Sequence, residues 1–378
     1  MHASQRVDRI AFCSPLKVTA FVLALAMTTA PHLLAAESAE TNKTRTEAVD
    51  RGVKYLLASG AKTDGQYTPR TGIGVTALVA TSLLRSGVLP TEPTLAKSLK
   101  FIEANVREDG GIYSASSRMK NYETCLGVVC LSEANKDGKY DRILKHADKF
   151  LKGLQIDERD GKGKDDQDFG GVGYGGKGRP DLSNTAFMLE ALAATGNGPD
   201  DEAVRKALIF VSRCQNLDSE HNTGKIADKI NDGGFNYTAV GDEEPEDTKA
   251  DGGLRSQGSM SYAGLKSMIY VGLKPDDVRV KAATEWLKKN YDLQSNPGLG
   301  SAGLYYYYHL MAKALDAVGD KDFVDANGKS HDWKADLVEE LAKRQQKDGS
   351  WKNSNERWLE ADPNLVTGYA LLTLSFCK

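Results

Sequence analysis

One spacing recurs six times along this chain of 378 residues and limits what it can fold into. Apolar stretches rich in Ala, Gly, Ser and Thr run from Thr76 to Gly87, Thr124 to Asn135, Thr185 to Gly196, Ser261 to Gly272 and Tyr308 to Gly319. Thr367 opens the last, "TGYALLTLSFCK". Five of the six open on Thr or Ser, so the marked position belongs to the repeat rather than to one copy. A fixed internal period is the signature of a repeat architecture, in which each unit buries a face that it cannot bury alone.

Each stretch is preceded by a second helical segment of different character: "AVDRGVKYLLAS", "LAKSLKFIEANV", "RILKHADKFLKGL", "AVRKALIFVSRC", "VKAATEWLKKNY" and "KADLVEELAKRQ". There the apolar residues return at steps of three and four with Lys, Arg and Glu between them, which gives a helix with one buried stripe. The marked stretches are apolar almost all round. A helix wet on one side belongs outside, and one apolar on every side belongs inside.

Between the two helices of a copy lies a turn with Gly and usually an aromatic: "DGQY" from Asp64, "DGGIY" from Asp109, "DFGGVGY" from Asp168, "NDGGFNY" from Asn231 and "DGSW" from Asp348. Asp and Gly favour tight turns, and the aromatic is suited to plugging a seam between copies. In the fifth copy "NPGLG" from Asn296 holds the place. Six outer and inner pairs predict an all-α fold, an α/α toroid of twelve helices closed into a ring, forming one domain over residues 37–378.

Residues 1–36 read separately as a leader. Arg6, Arg9 and Lys17 precede the apolar run Val18 to Met27, and small residues at Ala35 and Ala36 suit cleavage after Ala36. The run is short for a bilayer span, so the expectation is a secreted or periplasmic chain with no transmembrane segment after cleavage. The remaining cysteines, Cys125, Cys130, Cys214 and Cys377, are too few for a disulfide framework and read as small buried residues. A net charge of -3 and the lack of a basic face argue against a nucleic-acid partner.

"QQKDGSW", Gln345 to Trp351, resembles the Gln-x-x-x-Gly-x-Trp motif of squalene and oxidosqualene cyclases, and the Asp-Gly-Gly turns resemble weaker copies of it. The resemblance spans the chain beyond the leader and extends to protein prenyltransferase β subunits, which share the toroid. It implies a function as well: bacterial squalene–hopene cyclases carry Asp-x-Asp-Asp-Thr-Ala at the start of an inner helix, the middle acid protonating an alkene. This chain reads Asp181-Leu182-Ser183-Asn184-Thr185-Ala186, which keeps the first acid, the Thr and the Ala. Ser183 stands at the donor position, and a hydroxyl is far too weak an acid for that step. The zinc of the prenyltransferases has no matching Asp-x-Cys, and His309 falls late for its ligand. No metal and no cofactor is expected.

The candidate ligand-binding residues are Ser183, Asn184, Tyr262, Tyr305, Tyr306 and His309, with Asp181 as the one candidate acid. In "GLYYYYHL" four successive tyrosines must point around most of a helix, so some face the ring's interior. His309 reads as a satisfied interior histidine. Three functional classes fit: a non-cyclising toroid that binds an isoprenoid, a glycan or a protein; a terpenoid cyclase or isomerase using Asp181; and a carbohydrate-active barrel enzyme. Two acidic insertions, 157–168 and 218–257, read as solvated loops with loose calcium binding as the alternative.

Overall fold

The computed structural model describes residues 19–175, 178–223, 227–239, 249–250 and 253–378. The first half of the leader, residues 1–18, and the acidic core of the second insertion, residues 242–247, lie outside them. Twelve helices follow the expected order: α1 (Thr19–Ala61), α2 (Gly74–Arg85), α3 (Pro93–Glu103), α4 (Lys120–Ala134), α5 (Asp141–Leu154), α6 (Leu182–Ala194), α7 (Glu202–Arg213), α8 (Gly258–Tyr270), α9 (Val278–Lys289), α10 (Leu304–Val318), α11 (Trp333–Arg344) and α12 (Pro363–Phe376). A single helical turn at Ala227–Ile230 and two short antiparallel hairpins decorate the connections. No helix among the described residues is long and apolar enough to cross a membrane.

The even-numbered helices pack side by side in sequence, and α12 packs on α2 to close the ring. Burial follows the composition that separated the two sets. On α2 every residue from Gly74 to Leu83 is buried, whereas α5 buries only Leu144, Ala147 and Leu151, a single stripe. The four cysteines are buried thiols.

The recurring hydroxyl has one structural task. Thr76, Thr124, Thr185, Ser261 and Thr367 each accept a hydrogen bond from a backbone N–H of the preceding turn, at Tyr67, Ile112, Val172, Phe235 and Trp351, over 2.9–3.2 Å. The bond ties each inner helix to its own turn and leaves no buried N–H orphaned. Tyr308 holds the register in the fifth copy, and its hydroxyl reaches back to the Leu293 carbonyl instead. Thr367→Val should therefore strand the Trp351 N–H and cost about 1–3 kcal/mol in urea denaturation.

The turns in turn tie each copy to the next. Gln345 Nε2 donates to the carbonyls of Gly349, in its own turn, and Ala48, on α1, both at 2.9 Å. Gln155 bridges Gly170 and Ala203 in the same way, and Gln215 bridges Gly233 and Arg279. Gly349 has φ +92, and a Cβ there would lie 2.5 Å from the Arg51 carbonyl of α1. Gly170 has φ +86, with the Lys206 carbonyl of α7 only 1.9 Å from where its Cβ would fall. Only Gly allows backbone to approach backbone this closely.

The first insertion carries its own counter-charges. Asp157 pairs with Arg159 and Lys206, Glu158 with Lys206, and Asp166 and Asp168 with Lys162. Arg213 also fastens the loop through the Lys164 and Asp166 carbonyls. These carboxylates are held by side-chain cations of the chain itself.

Candidate functional site

The repeat register also determines what faces the ring axis. Residues at steps of four, three and four along an inner helix share one face, and the set that starts two positions before the marked residue points inward. At that first level stand Tyr122, Ser183, Ser259, Tyr306 and Leu365, all of which line one cavity at the mouth formed by the inner-helix N-termini. Phe187 and Tyr369, four residues further along α6 and α12, line it as well. At the same level on the other inner helices Leu78, Leu126, Ala263 and Leu310 are buried.

Loops complete the wall. Tyr174 and Tyr237 come from the turns of the third and fourth copies, and Trp358 and Leu359 from the segment before α12. The cavity measures about 170 Å3. Seven aromatic side chains surround it: Tyr122, Tyr174, Phe187, Tyr237, Tyr306, Trp358 and Tyr369. Phe187 lies edge-on to Tyr122 at 5.3 Å and stacked on Tyr306 at 6.1 Å, and Tyr306 meets Tyr369 at 5.6 Å. No charged side chain lines the cavity among the described residues.

The rim stores backbone strain. Trp358 and Leu359 both lie in the left-handed region, at φ 55 and φ 64, and both are about half exposed. Each costs about 1–2 kcal/mol for a residue other than Gly. The segment is held by the buried Glu360, whose carboxylate accepts the N–H groups of Tyr305 and Tyr306 at the start of α10 and the amide of Asn353. Burial raises the Glu360 pKa, and these hydrogen bonds oppose it. The Arg357 guanidinium lies over the Trp358 ring at 4.4 Å.

Ser183 faces the cavity, its hydroxyl 2.8 Å from that of Tyr306. Asp181 does not line the cavity. It is the N-cap of α6, one oxygen accepting the Asn184 N–H and the other the Asn184 side-chain amide, both at 2.8 Å. Asn184 is buried with it, its carbonyl oxygens in reach of the Asn121 amide. The Tyr237 hydroxyl bonds the Asp181 carboxyl and lies 3.4 Å from the Tyr174 hydroxyl, which links the carboxyl to the cavity wall. Burial pushes the Asp181 pKa up to about 6 against the opposing hydrogen bonds.

The folded chain thus holds a proton on Asp181 more readily than the unfolded chain, whose ordinary value is 3.8. The resulting stabilisation is present at low pH and is lost as the pH rises through about 6. Asp181→Asn, which cannot ionise, should gain stability relative to the parent between pH 4 and 7. Paired urea titrations across that range measure it, and a pH-independent difference would contradict the assignment.

Of the tyrosine run only Tyr306 reaches the cavity, because successive residues on a helix turn away from one another. Tyr305 packs edge-on to Tyr308, and Tyr307 turns to Tyr262 at 5.7 Å and bonds the Asp292 carbonyl. Tyr262 is buried between helices, away from the cavity. His309 lies between Tyr369 and Phe376, and burial lowers its pKa well below the usual range. Its Nδ1 is buried with no hydrogen-bond partner among the described residues. The aromatic wall was missed in the sequence because its members are scattered over four inner helices and three loops. The register of the marked residue is the signal that finds Tyr122, Phe187 and Tyr369.

Ring and turns define an α/α toroid, the fold shared with type II terpene cyclases and protein prenyltransferases. Within it, residues 69–237 match the squalene-hopene cyclase C-terminal domain family. Among solved structures, a variant of the type II terpene cyclase MstE from Scytonema in complex with geranylgeranyl dihydroxybenzoate superposes with a TM-score of 0.55 at 13% identity, over 89% of this chain and 98% of that one. Candida albicans protein geranylgeranyltransferase-I complexed with GGPP gives 0.51 at 15% identity, over 87% and 90%. No curated protein matches the chain in sequence.

Proposed function

We propose that this chain is an exported binding toroid that holds the end of an isoprenoid or similar apolar ligand in the aromatic mouth without cyclising it. The observation that carries the reading is the cavity wall: seven aromatic rings and, among the described residues, no carboxylate. Cyclisation by alkene protonation needs a strong acid directed at the substrate, and Asp181 is instead folded back into its own helix cap behind Tyr237. Glycoside hydrolysis needs two carboxylates across the scissile bond. The aromatic faces suit the π-density and methyl groups of a prenyl chain.

Size narrows the ligand further. A dry cavity of about 150 Å3 accepts a benzene ring. A space of about 170 Å3 therefore takes one terminal unit of a prenyl chain or one aromatic ring, while the rest of the ligand lies across Tyr174, Trp358 and Leu359 at the rim. The solved relatives named above hold geranylgeranyl ligands, which supports an isoprenoid over a glycan.

Purified protein lacking residues 1–36 is titrated with geranylgeraniol and squalene while tyrosine and tryptophan emission is followed, and the recovered lipid is analysed by mass spectrometry. Saturable quenching with unchanged lipid is the expected result. Cyclic products would overturn the binding reading in favour of an active cyclase, and binding of oligosaccharides instead would place the mouth among glycan sites. Export is tested by fractionating cells that produce the full chain and sequencing the mature N-terminus, expected after Ala36.

A further inference from the structure

A second cavity, about 410 Å3 in volume, opens at the opposite mouth among the inner-helix C-termini and shares no lining residue with the first. Its side walls are mainly apolar, with Leu189, Ile269 and Phe376 among them. Into it project Arg85 from α2, Lys266 from α8 and Lys313 from α10. Glu190 of α6 bridges the two lysines, 3.0 Å from Lys266 and in direct contact with Lys313.

Charges placed inside a ring cost desolvation free energy that packed apolar residues would avoid, so a set left lining an open cavity calls for an explanation. Complementing helix dipoles accounts for Arg85, which lies in the last turn of α2. It does not account for Lys266 or Lys313, because neither α8 nor α10 has a basic residue in its last turn, where such an effect is confined. Nor are the donors used up. Among the described residues Arg85 bonds Glu133 through Nε, at 2.7 Å, with its guanidinium 5.6 Å from the Phe376 ring, and each lysine donates to Glu190 alone. Three cations face two carboxylates, while Asp316 sits at the rim exposed to water. Consistent with a local shortage of negative charge, burial pushes the Lys313 pKa down to about 7, Lys266 and Arg85 adding to the shift and Glu190 opposing it.

We propose that this second mouth is a binding site for a single amphipathic carboxylate, its head group received by Arg85, Lys266 and Lys313 and its apolar body by the cavity wall. A guanidinium presents the paired donors that match a carboxylate, and the two lysines place further cationic donors beside it. The volume admits a body of about a dozen heavy atoms, by comparison with a benzene-sized cavity of about 150 Å3.

The test titrates the folded protein with decanoate, decyl phosphate and decanol by calorimetry and by thermal shift. Decanoate is expected to bind at least tenfold more tightly than either of the others. Lys266→Met should weaken it at least tenfold, with the folded state of the variant verified by circular dichroism. Glu190→Gln removes the competing carboxylate without emptying the space, so decanoate should raise its melting temperature more than it raises that of the parent. Tyr306→Ala, in the other mouth, should leave decanoate binding unchanged. Equal binding of decanol, tighter binding of decyl phosphate, loss of decanoate binding in Tyr306→Ala, or no binding by the parent would each overturn the proposal.

Discussion

Trp351→Ala is expected to lose about 3–5 kcal/mol of stability, the cost of deleting a fully buried tryptophan. Its ring is completely covered, packing against Gly52 of α1 and Leu371 of α12, while its indole N–H donates to the Leu341 carbonyl of α11 at 2.8 Å. Those contacts join the sixth copy to the first. Elsewhere around the ring, adjacent copies are also continuous in sequence, but at this seam only noncovalent contacts, packing together with hydrogen bonds such as Gln345 to Ala48, close the circle. The loss should therefore appear in equilibrium urea denaturation together with faster amide exchange in α1 and α12. A loss under 1 kcal/mol would show that the ring closes without its tryptophan.

Tyr306→Ala should weaken isoprenoid binding by about 10- to 100-fold, which corresponds to the 1.5–3 kcal/mol of burying one large side chain. Tyr306 touches three other residues of the site: it stacks on Phe187, tilts against Tyr369 and holds the Ser183 hydroxyl. Removing it opens the wall at its centre. Ser183→Ala deletes only the hydroxyl and should change geranylgeraniol affinity by less than threefold. Fluorescence titration of the two variants side by side separates loss of apolar wall from loss of a polar contact, and equal losses would contradict an aromatic-driven site.

The ring itself was legible because its signal is periodic. The marked hydroxyl falls in the same place on five inner helices and makes the same bond to a turn N–H in each. The glutamine clamps were legible only at Gln345, where Gly349 follows four residues later. In the third and fourth copies insertions separate Gln155 from Gly170 and Gln215 from Gly233, so an unbroken motif hides a structural equivalence. The mouth was legible only in part. Treating Tyr305 to Tyr308 as a block obscures the fact that a helix directs just one of them at the axis, and Tyr262, one position after Ser261, faces its neighbour helix for the same reason. Trp358 and Leu359 carry no periodic signal, since their direction depends on a strained segment anchored by Glu360.

The buried layer of Leu78, Leu126, Ala263 and Leu310 has a further consequence. It makes the barrel two cups set back to back on a common floor, rather than a tube. The two cups share no lining residue. Any communication between them must pass through the floor or along a shared stave such as α10, which presents Tyr306 to one cup and Lys313 to the other.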